Sequence, residues 1–171
     1  MAVFVGSEFD SLTGRGGQNG EPRRTTPWGE IAWQLGGAAG FNLVKEHDEK
    51  RIAPGGDVIR KLFPENEPCL ILMDKLMNYV SRFRSLGLHN QFYNFLLSLT
   101  GSLNTRSVLV VSVPASELEM TADDESDYKR ITKELDRVGK AMTMTAGAET
   151  SEIIRRRLFD GTPTLSTRRV G

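Results

Sequence analysis

The residue best placed to do chemistry is Asp74, the first charged side chain after an apolar run at residues 69–73. Five apolar residues in a row predict a strand covered on both faces, as in parallel α/β sheets, whose ligands bind beyond the carboxyl ends of the strands. An apolar run followed by Asp is also the form of a Walker B segment, which helps to hold the Mg²⁺ of a bound nucleoside triphosphate. A single carboxylate suits Mg²⁺, which keeps several water ligands. By pattern alone, a core strand that ends in a turn Asp explains the same residues.

Lys75 follows this Asp, where many nucleotide hydrolases place a Glu that orients the attacking water. An ammonium group cannot accept a proton from water at neutral pH, so on this interpretation the water-orienting role is unfilled.

A second apolar run, residues 107–113, predicts another fully buried strand that is stopped by Pro114. Ser112 and Ser116 lie at its exit. A hydroxyl group there could donate a hydrogen bond to a γ-phosphate or to an attacking water, and a serine satisfied by its own backbone is the open alternative.

Composition excludes several classes of protein. The 171 residues carry 22 basic and 22 acidic side chains, so no overall charge draws the chain to nucleic acid or membrane. The sequence has no apolar run long enough to span a membrane and no secretory leader. The single cysteine, Cys69, fits a reducing cytoplasm and a buried, unreactive thiol. His47 and His89 lie far apart, which argues against a zinc site, and residues 47–49 resemble a solvated loop.

Apolar periodicity and turn residues predict alternating strands and helices. A strand at residues 2–6 is followed by a flexible, glycine-rich loop at 10–27 and a helix that begins at Pro27 and ends at Gly36-Gly37. Residues 41–44 form a short strand or pack as a loop, and an acidic stretch at 117–127 fits the first turn of a helix better than a metal cluster. The other expected elements are a helix from Asp57, the strand before Asp74, helical residues 76–100 with a break near Gly87, the strand at 107–113, an amphipathic helix through residues 128–138, a strand at 141–144 and a helix at 149–159. This alternation predicts an α/β fold with a mostly parallel sheet and helices on both faces.

Several segments together resemble the bacterial domain-of-unknown-function family 499. The segments that carry the resemblance are residues 3–6, 26–37, 54–57, 68–74, 110–116 and 152–159. The resemblance covers residues 2–159 and implies an AAA+-like ATPase core of the P-loop NTPase class, with ATP and Mg²⁺ as cofactors. It further implies a role beside DNA methyltransferases or helicases in DNA-modification or anti-phage defence complexes.

The resemblance also implies roles for single residues. Asp74 matches the Mg²⁺-coordinating position, Lys75 the water-orienting position, and Ser112, with Ser116 second, the sensor at the exit of the following strand. Arg137 lies where such ATPases place an arginine finger that reaches a neighbouring subunit of a homo-oligomer, although a helix-end arginine favoured by the helix dipole explains it equally well.

The chain departs from the family pattern in its phosphate loop. No G-x-x-x-x-G-K-[ST] is present in the sequence. We therefore expect residues 1–146 to be a partial ATPase core without a phosphate loop, residues 147–159 to begin a helical lid and residues 160–171 to be a disordered tail, as in a truncated or decayed copy. Two functions follow: an ATPase-family module that binds nucleotide in its full-length form and hydrolyses ATP negligibly by itself, or a non-catalytic α/β scaffold that docks a partner subunit.

Overall fold

The structure, a computed structural model, describes residues 1–64, 67–113 and 120–140. The residues up to Gly139 form one compact unit. Ser116, the strand expected at 141–144, the helix expected at 149–159 and the tail at 160–171 lie outside the described residues.

Three parallel strands form the sheet, in the order β1 (Ala2–Val5), β2 (Cys69–Asp74) and β3 (Ser107–Val111). Phe4 is paired with Met73, and Met73 with Val111, so the three strands end at the same edge. The predicted α/β class and parallel sheet are confirmed.

Helices connect these strands. They are α1 (Pro27–Lys50), α2 (Gly56–Arg60), α3 (Leu76–Arg82) with a 3₁₀ turn at Arg84–Leu86, α4 (Leu88–Thr100) and α5 (Ala122–Val138). The break expected near Gly87 is present, with that glycine at a φ of 73° between the 3₁₀ turn and α4. None of the helices in the described part is long and apolar enough to cross a membrane.

One face of the sheet carries the core. Phe4 of β1 is fully buried and stacks on Phe92 of α4, with 6.0 Å between ring centroids, while Tyr79 of α3 meets it edge-on at 5.6 Å. The thiol of Cys69 faces the same side, is buried as expected, and has its pKa raised by that burial.

The opposite face is only half covered by the described residues. Leu70 and Leu72 of β2 are half-buried, and Val108 and Val110 of β3 are 55% and 50% exposed. The prediction of a fully buried strand at 107–113 is therefore wrong for β3, and the helices predicted on both faces do not cover this second face at β3 in the described part of the chain. A run of valines fits an exposed strand as well as a core strand, because strand propensity does not report burial.

Helix α1 is a hairpin of two antiparallel arms. A straight helix of its length would be about 36 Å long, yet the Asp48 Oδ1 atom near its end lies 2.9 Å from the backbone nitrogen of Thr26 at its start. The reversal occurs at Gly37, whose φ of 56° and ψ of −140° are open only to glycine. The helix end predicted at Gly36-Gly37 is thus confirmed as a chain reversal, but the short strand considered for residues 41–44 is wrong, since they lie in the second arm.

Asp48 closes this hairpin. Its carboxylate is buried and accepts hydrogen bonds from the backbone N–H groups of Thr25 and Thr26 and from the Thr26 hydroxyl. Thr26 in turn caps the first arm by accepting a hydrogen bond from the N–H of Gly29 at 3.1 Å. The solvated loop predicted for residues 47–49 is wrong, because these residues lie in the second arm of α1 and Asp48 is buried. The sequence does not reveal this, since the partners of Asp48 lie more than twenty residues earlier in the chain.

The glycine-rich loop before α1, predicted to be flexible, is held by hydrogen bonds at several points. Arg15 and Arg24 pair as an antiparallel bridge, and the buried Arg24 guanidinium donates from Nε to Glu30 Oε2 at 2.8 Å. Gln34 continues this network to the sheet, where its side-chain amide bonds both the N–H and the C=O of Val3, at 2.7 and 2.9 Å. The outer edge of β1 is thereby covered by a side chain.

We predict that Asp48→Ala lowers the free energy of unfolding by about 3 kcal/mol, because buried N–H groups lose their acceptor. Glu49→Ala is the matched control. Its carboxylate is exposed and lies 4.0 Å from Lys45, so a change within about 0.5 kcal/mol is expected. Urea unfolding measures both, and equal effects would contradict the role of Asp48.

Burial raises the pKa of Tyr79 to about 12, although its hydroxyl pairs with that of Ser11 at 2.9 Å. The phenol deprotonates at a lower pH in the unfolded chain than in the folded protein. Its stabilising contribution is therefore complete below about pH 10 and is lost as the pH rises towards 12. We predict that the wild type loses about 1.4 kcal/mol more unfolding free energy than Tyr79→Phe between about pH 9 and pH 11. Urea unfolding of both proteins at the two pH values tests this, and parallel pH profiles would refute it.

Candidate functional site

The candidate site lies where the three strands end. The C=O of Asp74, the last residue of β2, accepts a hydrogen bond from the N–H of Gly6 at 2.8 Å. On the other side, the N–H of Ser112 donates to the C=O of Met73, also at 2.8 Å. Asp74 therefore stands in the middle of the carboxyl edge, where parallel sheets bind ligands.

The structure brings two of the predicted site residues together. Ser112 donates a hydrogen bond from its hydroxyl to Oδ1 of Asp74, and the same oxygen accepts from the N–H of Lys75 at 2.9 Å. Asp74 is half-buried and Ser112 exposed, so the pair faces solvent rather than the core. Among the described residues, the second carboxylate oxygen, Oδ2, has no hydrogen-bond partner.

Lys75 has an unusual backbone conformation at this edge. Its φ and ψ of 53° and 42° lie in the left-handed region, where a side chain costs on the order of 1 kcal/mol, and its side chain is exposed. The turn directs the chain from β2 into α3 and holds the Lys75 N–H against the Asp74 carboxylate. Residue identity gives no signal for this conformation, since lysine rarely adopts it.

Gly6 allows the close approach of β1 to this turn. A Cβ atom on Gly6 would lie 2.3 Å from the carbonyl oxygen of Lys75, which is far inside contact distance. The sequence pattern predicts Gly6 only as the end of a strand and gives no signal for this packing role.

The donor set at Asp74 fits Mg²⁺ better than a softer metal. In the described part of the chain, no group of three or more His, Cys, Asp or Glu side chains could hold a metal ion. A single carboxylate with one open oxygen fits a hard cation that keeps most of its water ligands. Asp74 is the residue that would hold it.

Arg137 lies away from Asp74. Its guanidinium pairs with Glu134, which also accepts a hydrogen bond from Thr100 at 3.4 Å. The pairing lowers the pKa of the Glu134 carboxyl. Since Thr100 ends α4 just before β3 begins, Arg137 is placed toward the opposite edge of the sheet from Asp74.

The acidic side chains at the start of α5 have a structural role in the described residues. Asp124 and Asp127 each lie 2.7 Å from Nη2 of Arg84, which fixes α5 against the turn after α3. Burial raises the pKa of Asp124, but the hydrogen bonds from Arg84 and Thr121 outweigh it, so the pKa is lowered overall. These carboxylates are already engaged, as the first-turn interpretation predicts.

Comparison with known protein families assigns the chain to one of them. A family model described as the DUF499 N-terminal domain matches residues 15–150. The chain belongs to the DUF499 family. No curated protein and no solved structure matches it. The match covers Asp74, Lys75, Ser112 and Arg137, so the candidate residues belong to the DUF499 domain itself, while Gly6 lies before the matched region.

We predict that Gly6→Ala lowers the free energy of unfolding by about 2–3 kcal/mol, because the methyl group displaces the backbone between β2 and α3. Gly36→Ala is the control, since a Cβ there meets nothing within 4 Å and its φ is not positive; it should be neutral or stabilising. Thermal unfolding of both variants decides the matter. A Gly6→Ala protein as stable as the wild type would contradict the close approach.

Proposed function

We propose that this chain is a nucleotide-binding module of the AAA+-like P-loop class, in which Asp74 holds the Mg²⁺ of a bound ATP. The observation that supports the proposal is the hydrogen bond from Ser112 to Asp74 at the carboxyl edge of adjacent parallel strands. An acid at the end of one strand and a hydroxyl at the end of the next is the arrangement expected around a metal-bound triphosphate.

The roles of the residues follow from their chemistry. Ser112 and the Lys75 N–H hold Oδ1 of Asp74 and fix the carboxylate plane, which leaves Oδ2 for a metal-bound water. Mg²⁺, when bound, would neutralise charge on the phosphates. The Ser112 hydroxyl is placed to hydrogen-bond a phosphate oxygen or a water.

Hydrolysis by this chain should be negligible. Lys75 cannot accept a proton where a catalytic base is needed, and such a loss alone costs about 10²–10⁴-fold in rate. The sequence also contains no phosphate loop to cradle a triphosphate. We propose that the module serves a DNA-modification or anti-phage defence complex with a methyltransferase or helicase partner, in which Arg137 acts as an arginine finger toward a neighbouring subunit. The family resemblance supports this part.

We predict that Mg-ATP at a hundredfold excess over its Kd stabilises the protein by about 2.7 kcal/mol, and that Asp74→Asn removes the Mg²⁺-dependent part of this effect. Asp136→Asn, an exposed aspartate on α5, is the matched control and should behave as wild type. Thermal shift with ATP, with and without Mg²⁺, measures the effect. No shift at millimolar Mg-ATP would overturn nucleotide binding.

Turnover distinguishes binding from catalysis. We expect no ATP hydrolysis above background in the wild type or in Lys75→Glu, because restoring an acid does not supply a phosphate loop. An ordinary per-second rate from the purified wild type would overturn this part of the proposal.

The half-covered sheet face favours a second candidate function, a non-catalytic α/β scaffold that docks a partner subunit. Val108 and Val110 are each about half exposed there. Exposed apolar surface of this kind marks interaction sites. A thermal shift that is absent with Mg-ATP would favour the scaffold.

A further inference from the structure

Lys75 adopts a backbone conformation for which glycine is the better residue. In the described part of the chain, the non-glycine residues with positive φ are Asn19, Arg51 and Lys75. Asparagine tolerates this region through its short polar side chain. The guanidinium of Arg51 makes a contact of its own, since Nη2 donates to the C=O of Ser11 at 3.0 Å. Residue type explains the first case and a side-chain contact the second, which leaves Lys75 to be explained.

The turn at Lys75 uses the backbone of this residue and not its side chain. The N–H of Lys75 donates to Asp74 Oδ1 at 2.9 Å, and its C=O accepts from the N–H of Asn78 at 3.1 Å. Glycine has both of these groups and adopts a φ of 53° without a steric cost. A lysine in this strained position, next to the candidate metal ligand, therefore indicates a role for its side chain.

The Lys75 side chain begins beside the proposed metal position. It directly follows Asp74, is exposed, and carries its charge on a flexible four-carbon stem. The same edge holds Ser112, whose hydroxyl donates to Asp74. A phosphate group that is bound near Asp74 is therefore within reach of the Lys75 side chain. Ammonium groups bind phosphate as compact point charges with three hydrogen-bond donors.

We propose that the Lys75 ammonium is a direct ligand of the terminal phosphate of ATP, so that this site binds ATP partly without Mg²⁺. The inference rests on the proposed function and adds a second source of positive charge to the site. In Mg-ATP, the metal ion neutralises the phosphates. In metal-free ATP, the Asp74 carboxylate repels the phosphates and the Lys75 ammonium provides the compensating charge. The residue that cannot act as a base thus acts as a binding group.

Lys75→Gly is the test variant, because it separates ATP binding from folding. Relief of the left-handed conformation offsets the added freedom of the unfolded chain, so the Tm of the ligand-free variant should match or exceed that of the wild type. Loss of a charge-assisted hydrogen bond should raise the Kd for ATP in EDTA at least about tenfold. Lys75→Arg keeps the charge and should stay within about threefold of the wild type.

Arg82→Gln is the matched control for a general effect of charge. Arg82 is also an exposed cation near this edge, but its guanidinium donates from Nη2 to the C=O of Ser7 at 3.0 Å. The variant removes the same charge as Lys75→Gly and leaves the residue beside Asp74 intact. We expect its Kd for ATP in EDTA to stay within about threefold of the wild-type value.

Asp74→Asn should have opposite effects on the two forms of ATP. With Mg²⁺ present, the variant should bind ATP more weakly, because the metal ion loses its carboxylate. In EDTA, it should bind ATP at least as tightly as the wild type, because a carboxylate that repels the phosphates is removed. Isothermal titration calorimetry of the full chain with ATP, up to about 10 mM, in Mg²⁺ and in EDTA measures these Kd values.

Three outcomes would overturn the inference and leave the proposed function standing. Binding of Mg-ATP without measurable binding of ATP in EDTA means that the metal ion supplies all of the attraction. An equal Kd for the wild type and Lys75→Gly in EDTA means that the ammonium makes no contact with the phosphate. Equal weakening by Lys75→Gly and Arg82→Gln means that Lys75 contributes only to the overall charge. If neither form of ATP binds, the inference and the proposed function are both overturned.

Discussion

The order β1-β2-β3 of three parallel strands is the constraint on which the rest of the structure depends. Crossovers between parallel neighbours are right-handed, so two crossovers in the same direction place their helices on the same face. That face holds the aromatic core around Phe4, Tyr79 and Phe92. The described residues leave the other face and the outer edge of β3 uncovered. All three strands end at one edge beside Asp74.

The hairpin of α1 is stabilised by polar groups as well as by apolar packing. A carboxylate at Asp48 is taken out of water, and its burial is tolerated because backbone N–H groups and a hydroxyl at the start of the helix satisfy it. The first arm presents Glu30 and Gln34, which connect Arg24 to β1. One buried polar network therefore orients the loop, the helix and the first strand of the sheet.

The candidate site is organised by backbone geometry more than by a cluster of charges. Gly6 permits the turn at Lys75 to approach β1, and that turn holds the Asp74 carboxylate from its own N–H. Strain at Lys75 is retained because the surrounding hydrogen bonds determine the conformation. Among the described residues, such a site positions a single acid and does not bring together several groups for acid–base chemistry.

The sequence by itself determined the class of the fold, the three strands, the end of the first helical arm at Gly36-Gly37 and the family, because apolar runs, glycine pairs and motif order are local properties. It also placed Asp74 and Ser112 at strand ends, from which their meeting follows once the strands are neighbours. Only the tertiary structure decided the burial of Asp48, the closing of β1 by Gln34 and the exposure of Val108 and Val110. Each depends on partners from distant segments. The sequence around Asp48 predicts a solvated residue, because its partner Thr26 comes close only when the chain folds back. A strand of valines predicts a core position, because the sequence does not reveal which face its neighbours cover.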